Sequence, residues 1–259
     1  MSLWFFFATL GNIAGPILGS YIASTLGYEY AFYTSTGIVW AATIFFAATY
    51  LRQRDRQPPV IVKRRGLFAG FRELLKIGTL RLTCTITLLG FLGCAAVSSF
   101  LPIYAVEKIG MTTIAVGSMA TVGATARLIA TPLMRRLSDK VNKRKLLFAI
   151  LAVGAALFAL YPYAVDQWQL TLLTIGVSVS FSFGVLSIAI HSGAAPRELS
   201  GMSLGLYGTF EDIGLMVGSL VFGVAWGALG PSSVFTIAAA AAAAALAAVL
   251  ALTLPEQKQ

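Results

Sequence analysis

The sequence predicts an all-α membrane protein of eight transmembrane helices. Three observations predict it. Mean hydropathy is +0.82, with 58% hydrophobic and 11% charged residues, which leaves too little polar surface to cover a water-soluble globule of 259 residues. Apolar runs recur along the chain at about the twenty residues that cross roughly 30 Å of hydrocarbon at 1.5 Å per residue. No ten-residue stretches alternate polar and apolar side chains as the strands of a lipid-embedded barrel must.

The first helix is expected over 3–26, inside an uncharged run from Ser2 to Tyr28. A signal peptide would carry a basic leader and a shorter apolar region, without glycines and a proline in its middle. After a short connection, 31–51 follows up to Arg52. The longest connection, 52–81, holds Pro58 and Pro59, then Leu67, Phe68, Phe71, Leu74 and Leu75 on one helical face, with Arg72, Glu73 and Lys76 elsewhere. That pattern predicts a short interfacial helix, and the paired prolines suit a plain linker over 55–65. The helix 82–106 carries Cys84 and Cys94, read as buried, unpaired thiols with no metal-ligand spacing. Then come 113–134, ended by Arg135, and 146–165, opened after Lys145. The helix 168–191 ends at His191, read as an interfacial residue with a proton site as the alternative. The last two helices are 202–229 and 232–254, the second with an alanine run at 238–245 that offers a featureless packing surface.

Basic residues set the orientation. Arg52, Arg54, Arg56, Lys63, Arg64, Arg65, Arg72, Lys76 and Arg81 fall in the second connection, and Arg135, Arg136, Lys140, Lys143, Arg144 and Lys145 in the fourth. Arg197 and Lys258 share that side, while Lys108 stands alone on the other. The basic side is the cytoplasm by the positive-inside rule, so both termini are expected there. The net charge of +9 then serves anionic lipid headgroups and calls for no nucleic-acid partner.

A glycine grid repeats. Ser2, Gly11, Gly15-Pro16 and Gly19-Ser20 in the first helix recur in spacing as Gly205, Gly214, Gly218-Ser219 and Phe222-Gly223 in the seventh. Glycine is costly in a water-soluble helix, but in lipid small residues three or four apart let backbones approach closely. The matched spacing predicts an internal repeat with glycine as a packing device.

On these residues the chain resembles the major facilitator superfamily of secondary transporters. Gly11 to Ser20 looks like the family's fifth-span antiporter motif, with Ser20 in place of its last glycine. Asp139, Lys140, Lys143 and Arg144 look like the second-half copy of the cytoplasmic loop motif, with Arg135 and Asn142 standing for its glycines. Phe100 to Tyr104, and Ala195 to Gly201, are similar to the family's seventh-span and pre-eleventh-span segments. The resemblance implies a partial fold: residues 1–51 as the last two helices of the N-terminal half, 52–81 as the inter-domain linker, and 82–259 as the C-terminal six-helix half. Four preceding spans, or a complementary chain, are expected partners. It also implies alternating access and the proton-coupled efflux of a small organic solute, in a plasma (inner) membrane. An importer or symporter, or a non-transporting scaffold, are the competing readings.

Three charged residues fall well inside spans: Arg127, Glu211 and Asp212. Each costs about 2.5–3.5 kcal/mol at a helix centre, so they are expected to meet each other or water. Arg127 is placed at a depth that allows pairing with one of the two acids, leaving the other to a wet cavity or to protonation. They are the proton-coupling or gate candidates. Phe100, Tyr104, Phe181, Phe183 and Tyr207 are the candidate cavity aromatics. Asp139 is expected to cap a helix start or to pair across its loop. An enzyme is not expected: the sequence has no nucleophile–histidine–acid set, no phosphate-cradling loop and no metal or cofactor site.

Overall fold

The structure, a computed structural model, describes residues 2–53 and 67–252. The paired prolines Pro58 and Pro59, the basic residues Arg54, Arg56, Lys63, Arg64 and Arg65, and Lys258 lie outside the described residues. The helices are α1 (Ser2–Thr25), α2 (Tyr28–Gln53), α3 (Leu67–Leu75), α4 (Gly78–Ala95), α5 (Leu101–Glu107), α6 (Thr113–Lys140), α7 (Lys143–Leu160), α8 (Gln167–Ser180), α9 (Phe183–Ala194), α10 (Ser200–Leu229) and α11 (Ser233–Leu250). Among the described residues seven segments are long and apolar enough to cross a membrane. They are Tyr28–Tyr50, Gly78–Glu107, Thr113–Lys140, Lys143–Tyr163, Gln167–Ala194, Arg197–Leu229 and Ser233–Leu250. The eighth expected span is α1, a 24-residue helix without a charged side chain.

Two expected spans turn out to be interrupted. The third runs α4, a π-helical turn at Ala96–Phe100, then α5. Pro102 has no N–H to return to the carbonyl of Ser98, and a wider turn just before it takes up the mismatch. The sixth breaks between α8 and α9 at Phe181 and Ser182. Ser180 Oγ donates to the Gly176 carbonyl at 3.0 Å, and Ser182 Oγ to that of Val179, so serine hydroxyls compete there for helix acceptors.

Helix bounds also shift at the basic end. Helix α6 runs to Lys140 and α4 starts at Gly78, so Arg81, Arg135, Arg136 and Lys140 stand on helices and not in loops. A helix need not stop where the hydrocarbon does. The expected role of Asp139 as a cap is corrected: it is exposed on the last turn of α6, and Asn142 caps α7 by accepting from Arg144 N–H at 2.9 Å. Arg144 in turn donates to the carbonyls of Val249 (3.0 Å) and Leu250 at the end of α11, satisfying acceptors that helix leaves open. At the other end, turns pass through Gly110 (φ 73°) and Gly230 (φ 88°), backbone that a side chain would strain.

Packing places α4 at the centre, against α10 and α11, with α11 against α7, α6 against α8, and α1 against α6. The glycine expectation splits in two. On α10 it holds: a Cβ on Gly214 would stand 2.5 Å from the Leu88 carbonyl oxygen, and one on Gly218 2.8 Å from that of Leu92. On α1 the described residues supply no partner: a Cβ on Gly11, Gly15 or Gly19 meets nothing within 4 Å, and Gly205 is equally open. Helix α1 reaches α6 by another face, where Gly117 sits under Ser20 and Pro16, and Thr121 Oγ1 donates to the Ile13 carbonyl at 3.0 Å. Helix α3 forms as expected but docks on the bundle: Leu74 is fully buried with Leu80, Leu199 and Leu206, and Gly70 lies against Met202. The alanine run of α11 packs by one face, with Ala238 and Ala245 fully buried and Ala240, Ala243 and Ala244 exposed.

Candidate functional site

Helix α6 presents Gly123 to α8, where a Cβ would stand 2.7 Å from Ser178 Oγ. Arg127 follows one turn later on the same stripe and therefore lies over the end of α8. Its guanidinium sits 5.9 Å from the centre of the Phe181 ring. A cation over an aromatic face is worth about 0.5–1 kcal/mol when exposed and more when dry. Arg127 is exposed, and it stands 13 residues from the end of α6, about 20 Å along the axis. The greater distance from the helix end follows from the longer α6, which runs on past Arg135 and Arg136.

Glu211 and Asp212 stand eleven and twelve residues into α10, roughly 17 Å from its start. Glu211 is half-buried and Asp212 exposed, as expected for neighbours that point about 100° apart. The expected pairing is corrected: neither acid forms an ion pair with Arg127 within 4.0 Å. Helices α6 and α10 are not packed neighbours, and α9 packs on both. The charges act on each other across that gap, Glu211 feeling both Asp212 and Arg127 through space. Cys94 of α4, buried, feels both Arg127 and Glu211. The three candidates thus form one electrostatic group spanning α6, α4 and α10 without a closed salt bridge.

The aromatic candidates are mostly core. Tyr104 packs edge-on against Phe235 at 5.0 Å between ring centres, and Phe183 against Phe91 at 5.5 Å. Tyr104, Phe183 and Tyr207 are 1%, 2% and 3% exposed, and Phe181 and Phe183 line a small apolar pocket with Gly90, Gly93 and Phe158. Phe181, beneath Arg127, is buried, and the half-buried Phe100 packs against Trp226 at 5.7 Å.

Sequence reasoning missed a polar seam beside Glu211. Tyr207, one turn before it, donates to the Gly184 carbonyl at 3.2 Å and reaches the hydroxyls of Thr87 and Ser187, themselves 3.1 Å apart. His191, expected at the water boundary, is fully buried in the same seam. Thr83, Thr87, Ser187 and His191 recur at intervals of four on α4 and α9, a polar stripe that could have been found by helical spacing.

Comparison with known proteins bears on this arrangement. Residues 1–219 match the family model of the Major Facilitator Superfamily. Among curated relatives, the Multidrug resistance protein MdtG of Dickeya zeae (strain Ech586) is 23% identical over 238 residues, covering 88% of this chain and 57% of the relative. The proteins of that name from Enterobacter lignolyticus (strain SCF1) and Yersinia enterocolitica are each 24% identical over 239 residues, covering 88% of this chain and 55% and 56% of theirs. The chain spans little more than half the length of the curated relatives it matches. With its membrane helices and a match over most of its length, the chain belongs to the Major Facilitator Superfamily.

Proposed function

We propose that this chain is the larger part of a secondary transporter that exports a small organic solute in exchange for protons by alternating access. The observation that carries the proton reading is the open electrostatic group. Glu211 is half-buried beside a second acid, with an arginine in range and no ion pair to hold it charged. A carboxyl so placed changes its hold on a proton when an arginine approaches or water enters, which is the physical requirement for coupling. The name of the relatives supports a drug-like solute, and the Gly15–Pro16 motif supports efflux.

The basic ends of the helices face the cytoplasm in this reading, with both termini inside and the chain in the plasma (inner) membrane. Residues 1–51 serve as the last two helices of the first half, and 82–259 as the second half. The open glycine face of α1 supports a further helix packed there as α4 packs on α10. That helix belongs to preceding spans or to a complementary chain.

The test is pH-driven flux in proteoliposomes, with the chain joined to the four spans of its relatives' first half. Glu211→Gln and Asp212→Asn are measured one at a time. The substitution at the coupling acid is expected to abolish proton-driven export while leaving solute exchange without a gradient. Unchanged proton coupling in both variants ends the proposal. The chain alone is expected to give no flux, as the scaffold reading also predicts, and restored flux in the joined protein separates the two.

A further inference from the structure

His191 is the chain's one histidine, and its ring bridges α4 and α10. Nδ1 lies 2.7 Å from Thr83 Oγ1, and Nε2 lies 3.0 Å from the carbonyl oxygen of Ser203. A carbonyl only accepts, so Nε2 carries a hydrogen whatever the charge of the ring. Nδ1 is the atom that decides. Facing a second carbonyl it would be locked protonated, and facing an N–H it would be locked bare. It faces a hydroxyl, which serves both states.

In the neutral ring Nδ1 accepts, and Thr83 must donate its one hydrogen to it. In the charged ring Nδ1–H donates to Thr83 Oγ1. The hydroxyl hydrogen then turns to the carbonyl of Leu80, at 2.9 Å, or of Thr79, at 3.0 Å. Both ring bonds survive in either state, and the proton arrives or leaves with the rotation of one hydroxyl.

We propose that His191 is a second protonation site of this protein, separate from Glu211 and Asp212, in which Thr83 reverses its hydrogen bond as the proton binds. The titratable neighbours are Tyr207 of α10, edge-on at 5.4 Å between ring centres, and Cys84 beside Thr83 on α4, with Glu211 one turn beyond Tyr207. Among the described residues the ring's hydrogen-bond partners are Thr83 and Ser203, and none comes from α6 or α7, the other helices packed on α9. A proton there has no counter-ion and calls for water. Ser203 Oγ, on the residue that accepts from Nε2, is buried and without a hydrogen-bond partner among the described residues. Protonation therefore favours a wetter seam between α4, α9 and α10. The inference rests on hydrogen-bond geometry and stands whether or not Glu211 couples transport.

A single histidine gives a single imidazole, so nitrogen resonance spectra of the histidine-labelled chain, purified without a polyhistidine tag and held in lipid nanodiscs, read it alone. As the pH is lowered through the range in which the chain stays folded, the ring is expected to pass reversibly from the neutral Nε2–H form to the imidazolium. A hydrogen bond to a charged donor is stronger than a neutral one. Thr83→Val then costs the charged form more and lowers the midpoint by about one pH unit. Thr83→Ser keeps the hydroxyl and the original midpoint. A ring that stays in one state throughout overturns the proposal on the unsubstituted chain alone. A midpoint unmoved in Thr83→Val overturns it as well.

Discussion

A single methyl added at Gly218 would fall 2.8 Å from the Leu92 carbonyl oxygen and 2.9 Å from Ala95 Cβ, so α10 and α4 would have to part. Overpacking of this kind costs about 1–3 kcal/mol, and Gly218→Ala is expected to lower the Tm of the detergent-solubilised chain by several degrees. Gly15→Ala, whose new methyl meets nothing within 4 Å, is expected to leave Tm unchanged. Two glycines of the same spacing thus differ in consequence because only one has a backbone opposite it. Arg127 illustrates the same dependence on surroundings. Its partner in this conformation is the Phe181 ring, and Glu211 stands on α10, a helix not packed on α6.

Among the elements, α3 shows how a short amphipathic segment acquires its place. Nine residues are too few for a stable isolated helix in water, and here the apolar face is held by Leu80, Leu199 and Leu206 from α4 and the α10 end. Leu74→Ala removes its most buried anchor, and a loss of roughly 2–3 kcal/mol is expected, at the lower end for a buried leucine. Hydrogen exchange across Leu67–Leu75 should rise while exchange in α7 and α11 stays slow. Equal acceleration everywhere would show that α3 is part of the global fold and not a docked element. The breaks in α4–α5 and α8–α9 belong to this scale too. They come from a proline and from serine hydroxyls, local chemistry that apolar-run counting passes over.

For the whole molecule, the decisive asymmetry is between the two ends of the repeat. Helix α10 packs its glycines on α4, whereas α1 turns another face to α6 and leaves its glycines open, and the α2 segment is exposed along its length. In our reading a first-half helix covers α1 in the assembled carrier. A cysteine placed at Gly15 is therefore expected to react readily with a membrane-permeant maleimide in this chain, in a background lacking Cys84 and Cys94. It should be shielded when the part of a relative that this chain does not cover is joined to it. Equal labelling in both would remove the helix from that face.

The sequence by itself determined that this protein is helical and membrane-embedded, and it located the seven segments that are long and apolar enough to span, most of them to within a few residues. Its motifs also pointed to the family. Those properties rest on composition, on the length of apolar runs and on glycine spacing, all of which are local and survive without a partner. Tertiary structure alone decided which glycines pack, that Asn142 and not Asp139 caps α7, that Tyr104 and Phe183 are core, and that Arg127 rests on Phe181. It also put His191 between Thr83 and Ser203. The physical reason is that a contact needs two surfaces, and a helix sequence specifies only one of them.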